Sequence, residues 1–206
     1  NCDITDYGNI IGGNTQQGIW LDGSFAGNNS IVSNYIGVAP DATIIANGAD
    51  GILVDKVPDI TIQENTIGGN GANGILVQDV PTGNPVAKAH TQLSPTLGNK
   101  KIAGNLVGVI KVSLGTIKVS NLLAGIRLNN VQNVLVGNDL QSVLKNLIGG
   151  NGGPGVLIEG PNATGNKVNN SIIGTDENGT PGLGNGGDGV KVQDAPDNVI
   201  GEPIGG

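Results

Sequence analysis

The spacing most suggestive of chemistry is G-x-G-x-x-G. It occurs at Gly69-Gly71-Gly74, at Gly150-Gly152-Gly155 and at Gly184-Gly186-Gly189. In a nucleotide-binding protein this spacing makes a tight turn between a strand and a helix, and the helix N-terminus holds the phosphates. Here the residues that follow are ILVQDVP, VLIEGP and VKVQDAP. Short runs of branched residues closed by proline are strand sequence, and Pro154 interrupts the second copy. With no helix to follow, the nucleotide reading fails on context.

Other reactive side chains are few. His90 is the only histidine and lies in the Pro-containing stretch VPTGNPVAKAHTQLSPTLGN, where a solvated loop residue is the expectation. Arg127 is the only arginine, at the outward position of GIRL. Were the chain a polysaccharide-cleaving enzyme, Arg127, Glu159 and Asp79 would be the residues to test as base, acid or uronate contacts. TDENGT offers Asp176 and Asn178 as calcium oxygens, and Asp22 would neighbour Asp55, a second cation candidate. The remaining positions of an EF-hand loop are missing, and Asp, Asn and Gly equally suit a plain turn. No cofactor, catalytic group or metal site is assigned.

These residues must be positioned by an unusual chain. Of 206 residues 37 are glycine, none is methionine, and only one Trp, two Tyr and one Phe are aromatic. The core must therefore be built from Val, Ile and Leu. A net charge of −7 argues against nucleic acid and against anionic lipid as partners. No apolar run approaches membrane-spanning length, so membrane insertion is not expected. Cys2 is the only cysteine, which excludes an internal disulfide.

A wider repeat contains the glycine motif. N-x-x-x-G-[IV]-x-[LVI] appears six times, with Asn14, Asn47, Asn70, Asn121, Asn151 and Asn185 leading. Upstream of each stands [IV]-G, at Gly12, Gly37, Gly68, Gly108, Gly149 and Gly174. Asn9, Asn34, Asn65, Asn105 and Asn146 precede five of those glycines by three residues; Asn170 is displaced by one. A third apolar run, as in SIVSN, ITIQEN, KKIAGN and VLVGN, comes before. Three short strands per unit and no helical limb predict a parallel β-helix.

In that fold Ile19, Ile52, Ile75, Ile126, Val156 and Val190 form one inward column, joined by Leu21, Val54, Val77, Leu128, Ile158 and Val192. The repeated asparagines are expected to form ladders. The outward column reads Trp20, Leu53, Leu76, Arg127, Leu157, Lys191. Its first three members would be a continuous apolar stripe, either covered by an inserted loop such as 81–99 or open to a partner or ligand. The coils also alternate: IGGN at 11–14, 67–70 and 148–151 is short, whereas the other three units insert a long loop before the asparagine. Segments 81–99 and 109–120 are read as inserted loops, the second as a hairpin repeating IKVS.

The sequence resembles the right-handed parallel β-helix repeat proteins of the pectate-lyase-like superfamily. The likeness is closest to bacterial extracellular and surface arrays of N-x-IGG and IGTD-x-x-GT-x-x-LGN-x-x-x-GV-x-I. Residues 173–192, IGTDENGTPGLGNGGDGVKV, match that form nearly throughout. The resemblance implies one all-β domain over 1–206, a right-handed parallel β-helix of six to seven coils, outside the cell or on its surface. It does not decide function, because such folds serve lyases, hydrolases, adhesins and structural arrays alike.

The expectation is a non-catalytic structural or adhesive module, part of a longer array or an end-stacking subunit. Homo-oligomer or filament formation through the β-helix ends and carbohydrate binding are the partner modes that fit. The rival is a lyase or hydrolase of acidic polysaccharide.

Overall fold

The computed structural model describes residues 8–79, 100–138 and 144–201. His90 and the whole of the 81–99 insertion lie outside the described residues. The first coil consists of β1 (Ile10–Ile11), β2 (Ile19–Asp22) and β3 (Asn29–Val32). The second has β4 (Tyr35–Ile36), β5 (Ile52–Asp55) and β6 (Ile60–Gln63). In the third are β7 (Thr66–Ile67), β8 (Ile75–Gln78) and β9 (Lys100–Ala103). The fourth holds β10 (Leu106–Val107), the hairpin β11 (Val109–Val112) and β12 (Gly115–Lys118), then β13 (Ile126–Asn129) and β14 (Val134–Val136). The fifth is β15 (Asn146–Ile148), β16 (Val156–Glu159) and β17 (Lys167–Val168). The sixth is β18 (Ser171–Ile173), β19 (Val190–Gln193) and β20 (Val199–Ile200).

Equivalent strands of successive coils pair in parallel, which gives three six-stranded sheets in coil order and a separate two-stranded hairpin. The chain is a parallel β-helix. Its first sheet holds β1, β4, β7, β10, β15 and β18. The second holds β2, β5, β8, β13, β16 and β19, and the third holds β3, β6, β9, β14, β17 and β20.

Registration follows side-chain alternation. In the second sheet Ile52, Ile75, Ile126 and Val156 stand directly over one another, as do Val54, Val77, Leu128 and Ile158, all buried. The first sheet contributes Ile36, Ile67, Val107 and Ile148 to the same interior, and the third Ile62, Ile102 and Val136. A one-residue slip would turn each column outward, so burial of roughly 1.5–3 kcal/mol per side chain fixes the register. At the two ends the columns open: Ile19 and Leu21 are half-buried, while Val192 and Ile200 are exposed.

Two asparagine ladders line the corners. In one, the side-chain amide of Asn14 donates to Asn47 Oδ1 at 2.8 Å, and the bonds Asn47 to Asn70, Asn70 to Asn121, Asn121 to Asn151 and Asn151 to Asn185 follow at 2.9 Å each. The other runs Asn9, Asn34, Asn65, Asn105, Asn146 at 2.8–3.1 Å. Every asparagine-to-asparagine bond in both ladders runs toward the later coil, while the same amides also donate back to earlier carbonyls, as Asn47 does to Ile11 O at 3.2 Å and Asn65 to Ile31 O at 2.9 Å. The second ladder does not continue to Asn170, because Ser171 stands opposite Asn146. Asn170 instead takes the left-handed turn position, φ 45°, that Ser33 and Glu64 occupy before Asn34 and Asn65. Keeping Ile173 stacked on Ile148 forces that choice.

The glycine motif now has a structural explanation. A Cβ on Gly74 would lie 2.8 Å from the side-chain amide of Asn121 and 2.7 Å from Gly125 O, both in the next coil. Gly155 meets Asn185 and Gly189 in the same way. These glycines let the ladder asparagine of one coil approach the backbone of the previous one; they do not cradle phosphate.

Candidate functional site

The outer face of the second sheet carries most of the residues singled out from the sequence. Trp20, Leu53, Leu76, Arg127, Leu157 and Lys191 are neighbours in register along it. Trp20 is 60% exposed, but Leu53 and Leu76 are each only 8% exposed. Neither leucine belongs to the interior cluster, Leu157 is half-buried, and Trp20 is the most exposed apolar residue of this column.

Arg127 reaches diagonally across one coil step to Glu159. Its Nε donates to Glu159 Oε1 at 2.8 Å, and Nη2 donates to the same oxygen. Both groups are partly buried. Asp79 lies in the next column, its amide donating to Asn129 O at 3.2 Å. Its charge acts on Lys100. That lysine occupies a column position between buried Ile60 and Val134, and burial lowers its pKa while Asp79 and Asp59 oppose the shift. The sequence reading missed Lys100; its signal was the cation at the place where ITI and VLV carry apolar residues.

Asp22 and Asp55 are neighbours in register. Asp55 Oδ2 lies 3.8 Å from Lys56 Nζ, while its Oδ1 is buried without a hydrogen-bond partner. Asp176 closes its own turn: the amides of Asn178 and Thr180 both donate to Oδ1 at 2.9 Å. These bonds hold the carboxyl below its usual range. Asp41 does the same with the Thr43 amide at 2.9 Å in the loop of the second coil. Among the described residues no group of three or more His, Cys, Asp or Glu is placed to hold a metal ion.

The flank over the first sheet is the most elaborated surface. Its outward column runs Ile10, Tyr35, Thr66, Leu106, Leu147, Ile172. Long loops of the second, fourth and sixth coils pack against it. Val38, Ile110 and Val119 form one small buried cluster touching Tyr35, and Val109, Leu147 and Leu183 form another touching Leu106 and Ile172. The hairpin β11–β12 is tied to the next long loop by a 3.1 Å ion pair from Lys111 to Glu177 and by Lys118 Nζ donating to Gly184 O at 3.1 Å. Between them lies a shallow cleft of about 230 Å³ lined by Lys111, Val112, Gly115, Thr116, Asp176, Glu177 and Asn178. Leu114 at the hairpin tip is exposed, and so are Leu122 and Leu123 just beyond it.

No protein-family model, curated protein or solved structure matches this chain. The three parallel six-stranded sheets make the chain a parallel β-helix with paired coils.

Proposed function

We propose that this chain is a non-catalytic structural or adhesive module of the extracellular or cell-surface kind, related in architecture to the pectate-lyase-like β-helices. It acts as a stiff rod that carries loops along one flank. The observation supporting this is the pair of asparagine ladders, which link coil to coil in one direction through the molecule. Buried, mutually satisfied amide bonds resist sliding and bending between coils, the property a display scaffold requires. Carbohydrate contact at exposed Trp20 is compatible with this role, since an indole face can stack on a sugar ring.

The rival, a lyase or hydrolase of acidic polysaccharide, draws on Arg127. Its guanidinium is already engaged by Glu159, which leaves less of it for a uronate. The deciding experiment incubates the purified chain with a panel of acidic and neutral polysaccharides and follows chain length and unsaturated products. The scaffold reading expects no cleavage by the wild-type chain. Cleavage that disappears in Arg127→Ala establishes the rival.

A further inference from the structure

The hairpin β11–β12 is a two-stranded sheet, so each of its strands has one edge with no strand beside it among the described residues. Its register pairs Val109 with Lys118, Ile110 with Ile117, Lys111 with Thr116 and Val112 with Gly115. One step beyond, the Val119 amide donates to Gly108 O at 2.9 Å, and this bond sets the phase of the ladder. Bonded and non-bonded pairs alternate in an antiparallel ladder, so Gly115 and Ile117 turn their amides and carbonyls inward to β11. Thr116 and Lys118 turn theirs outward. Among the described residues no backbone bond reaches those outward groups.

The two edges differ in cover. In β11, Val109 and Ile110 are buried in the two small clusters over the first sheet, whereas Gly115, Ile117 and Lys118 of β12 are exposed. Proteins commonly guard such an edge with a proline, a bulge or a lysine laid along it. β12 reads GTIK, without proline, and its lysine is drawn aside by the 3.1 Å bond from Nζ to Gly184 O. Ile117 points to the opposite face of the hairpin and is 44% exposed. Leu114 at the tip is 97% exposed, and Leu122 and Leu123, past the foot of β12, are 65% and 47% exposed.

This edge is complementary to itself. An antiparallel copy of β12 centred on Ile117 sets Thr116 against Lys118 of the second copy, and Lys118 against Thr116. Both pairs then exchange bonds in both directions. The two Ile117 residues become a non-bonded pair, with Cα atoms about 4.5 Å apart and side chains in contact. No like charges stand directly opposite. The same two-fold axis carries the tip of each hairpin to the foot of the other, so Leu114 faces the region of Leu122 and Leu123. We infer that β12 is a docking edge for β12 of a second copy of this chain, the two hairpins joining into one four-stranded antiparallel sheet. The contact is isologous and closes at the dimer. It holds two rods side by side and does not depend on whether the chain is a scaffold or an enzyme.

The test is sedimentation of the 206-residue chain over a concentration series, with Thr116→Pro and Ile117→Lys as independent variants. Proline at 116 removes an outward donor and no bond to β11, and lysine at 117 sets like charges opposite on the axis. Hydrogen exchange at Val119, whose amide donates to Gly108, reports that each variant keeps its hairpin. The expected result is mass that rises from one chain to two and stops there, with at least a tenfold weaker dimer in either variant that retains Val119 protection. In a Cys2→Ser background, Ile117→Cys is expected to form a disulfide-linked dimer in oxidised glutathione, because the paired Cα distance suits a disulfide. A chain that stays monomeric, mass that grows past two chains, a dimer undiminished in both variants, or no Ile117→Cys cross-link overturns the inference.

Discussion

The amide of Gly69 in the third coil donates to the carbonyl of Val119, 2.9 Å away at the end of the fourth coil's long loop. The same bond recurs as Gly13 to Ile45 at 2.9 Å and Gly150 to Leu183 at 2.8 Å. Beside it, a Cβ on Gly68 would stand 2.4 Å from Val119 O and 2.5 Å from its Cγ2. Each short coil is short, and carries paired glycines, because the loop of the next coil lands on it. Two coils are therefore one packing unit.

Gly68→Ala is expected to lift the hairpin segment off the first sheet and cost about 1–3 kcal/mol, the usual range for overpacking. Gly184→Ala is the control, since none of the described residues lies within 4 Å of its Cβ position. Thermal unfolding of the two variants, with hydrogen exchange at Gly69, separates them. Equal melting of both would contradict the landing-site account.

Asn70→Ala removes a rung from the middle of a ladder. Its Oδ1 accepts from Asn47, and its amide donates to Asn121, all three being buried. Orphaned buried groups cost about 1–3 kcal/mol each, so a loss on the order of 2–4 kcal/mol is expected in denaturant unfolding. Asn185→Ala, at the half-buried last rung, is expected to cost no more than about 1–2 kcal/mol by the same measure. The ranking is the test.

The repeating features were legible because they repeat. Inward columns and the asparagine at each corner are demanded in every coil, so six copies expose them. Features that occur once were harder to find. The stripe Trp20, Leu53, Leu76 was readable as a column, but not whether it was covered or open: Trp20 is exposed while Leu53 and Leu76 are buried. Tyr35, Leu106, Leu147 and Ile172 each directly precede an inward residue, so their outward direction was readable, yet the loops that pack against them could be recognised only once folded. The one-residue displacement of Asn170 was visible in the sequence, and the structure gives its reason: stacking of Ile173 on Ile148 puts Asn170 at the turn.

Lys100 supplies a pH signature. Burial depresses its pKa below 10.5, outweighing the attraction of Asp79 and Asp59. Between the folded value and 10.5 the unfolded chain binds more protons, so this residue makes stability rise with pH across that window. Below the folded value the penalty is fully present. Lys100→Met is expected to raise stability at neutral pH and to flatten the alkaline rise, as measured by urea midpoints from neutral to alkaline pH. An unchanged slope would contradict burial as the dominant cause.

Arg127 and Glu159 are expected to behave as an ordinary partly exposed ion pair. Either Arg127→Ala or Glu159→Gln should cost about 0–1 kcal/mol, with the double variant little worse than the singles. A double-mutant cycle at low and high salt checks this, the coupling shrinking as salt rises.

The central claim, that two consecutive coils are the structural unit, is tested most directly by comparing two deletions. Removing 65–145 takes out one short and one long coil and joins a long coil to a short one, as in the parent. Removing 34–64 takes out a single long coil and sets two short coils together. Hydrogen exchange at Gly13, which in the parent donates to Ile45, reads the difference. The account predicts that the four-coil chain keeps Gly13 protected and unfolds in one transition, whereas the longer five-coil chain loses that protection. Equal protection in both chains would contradict the two-coil unit.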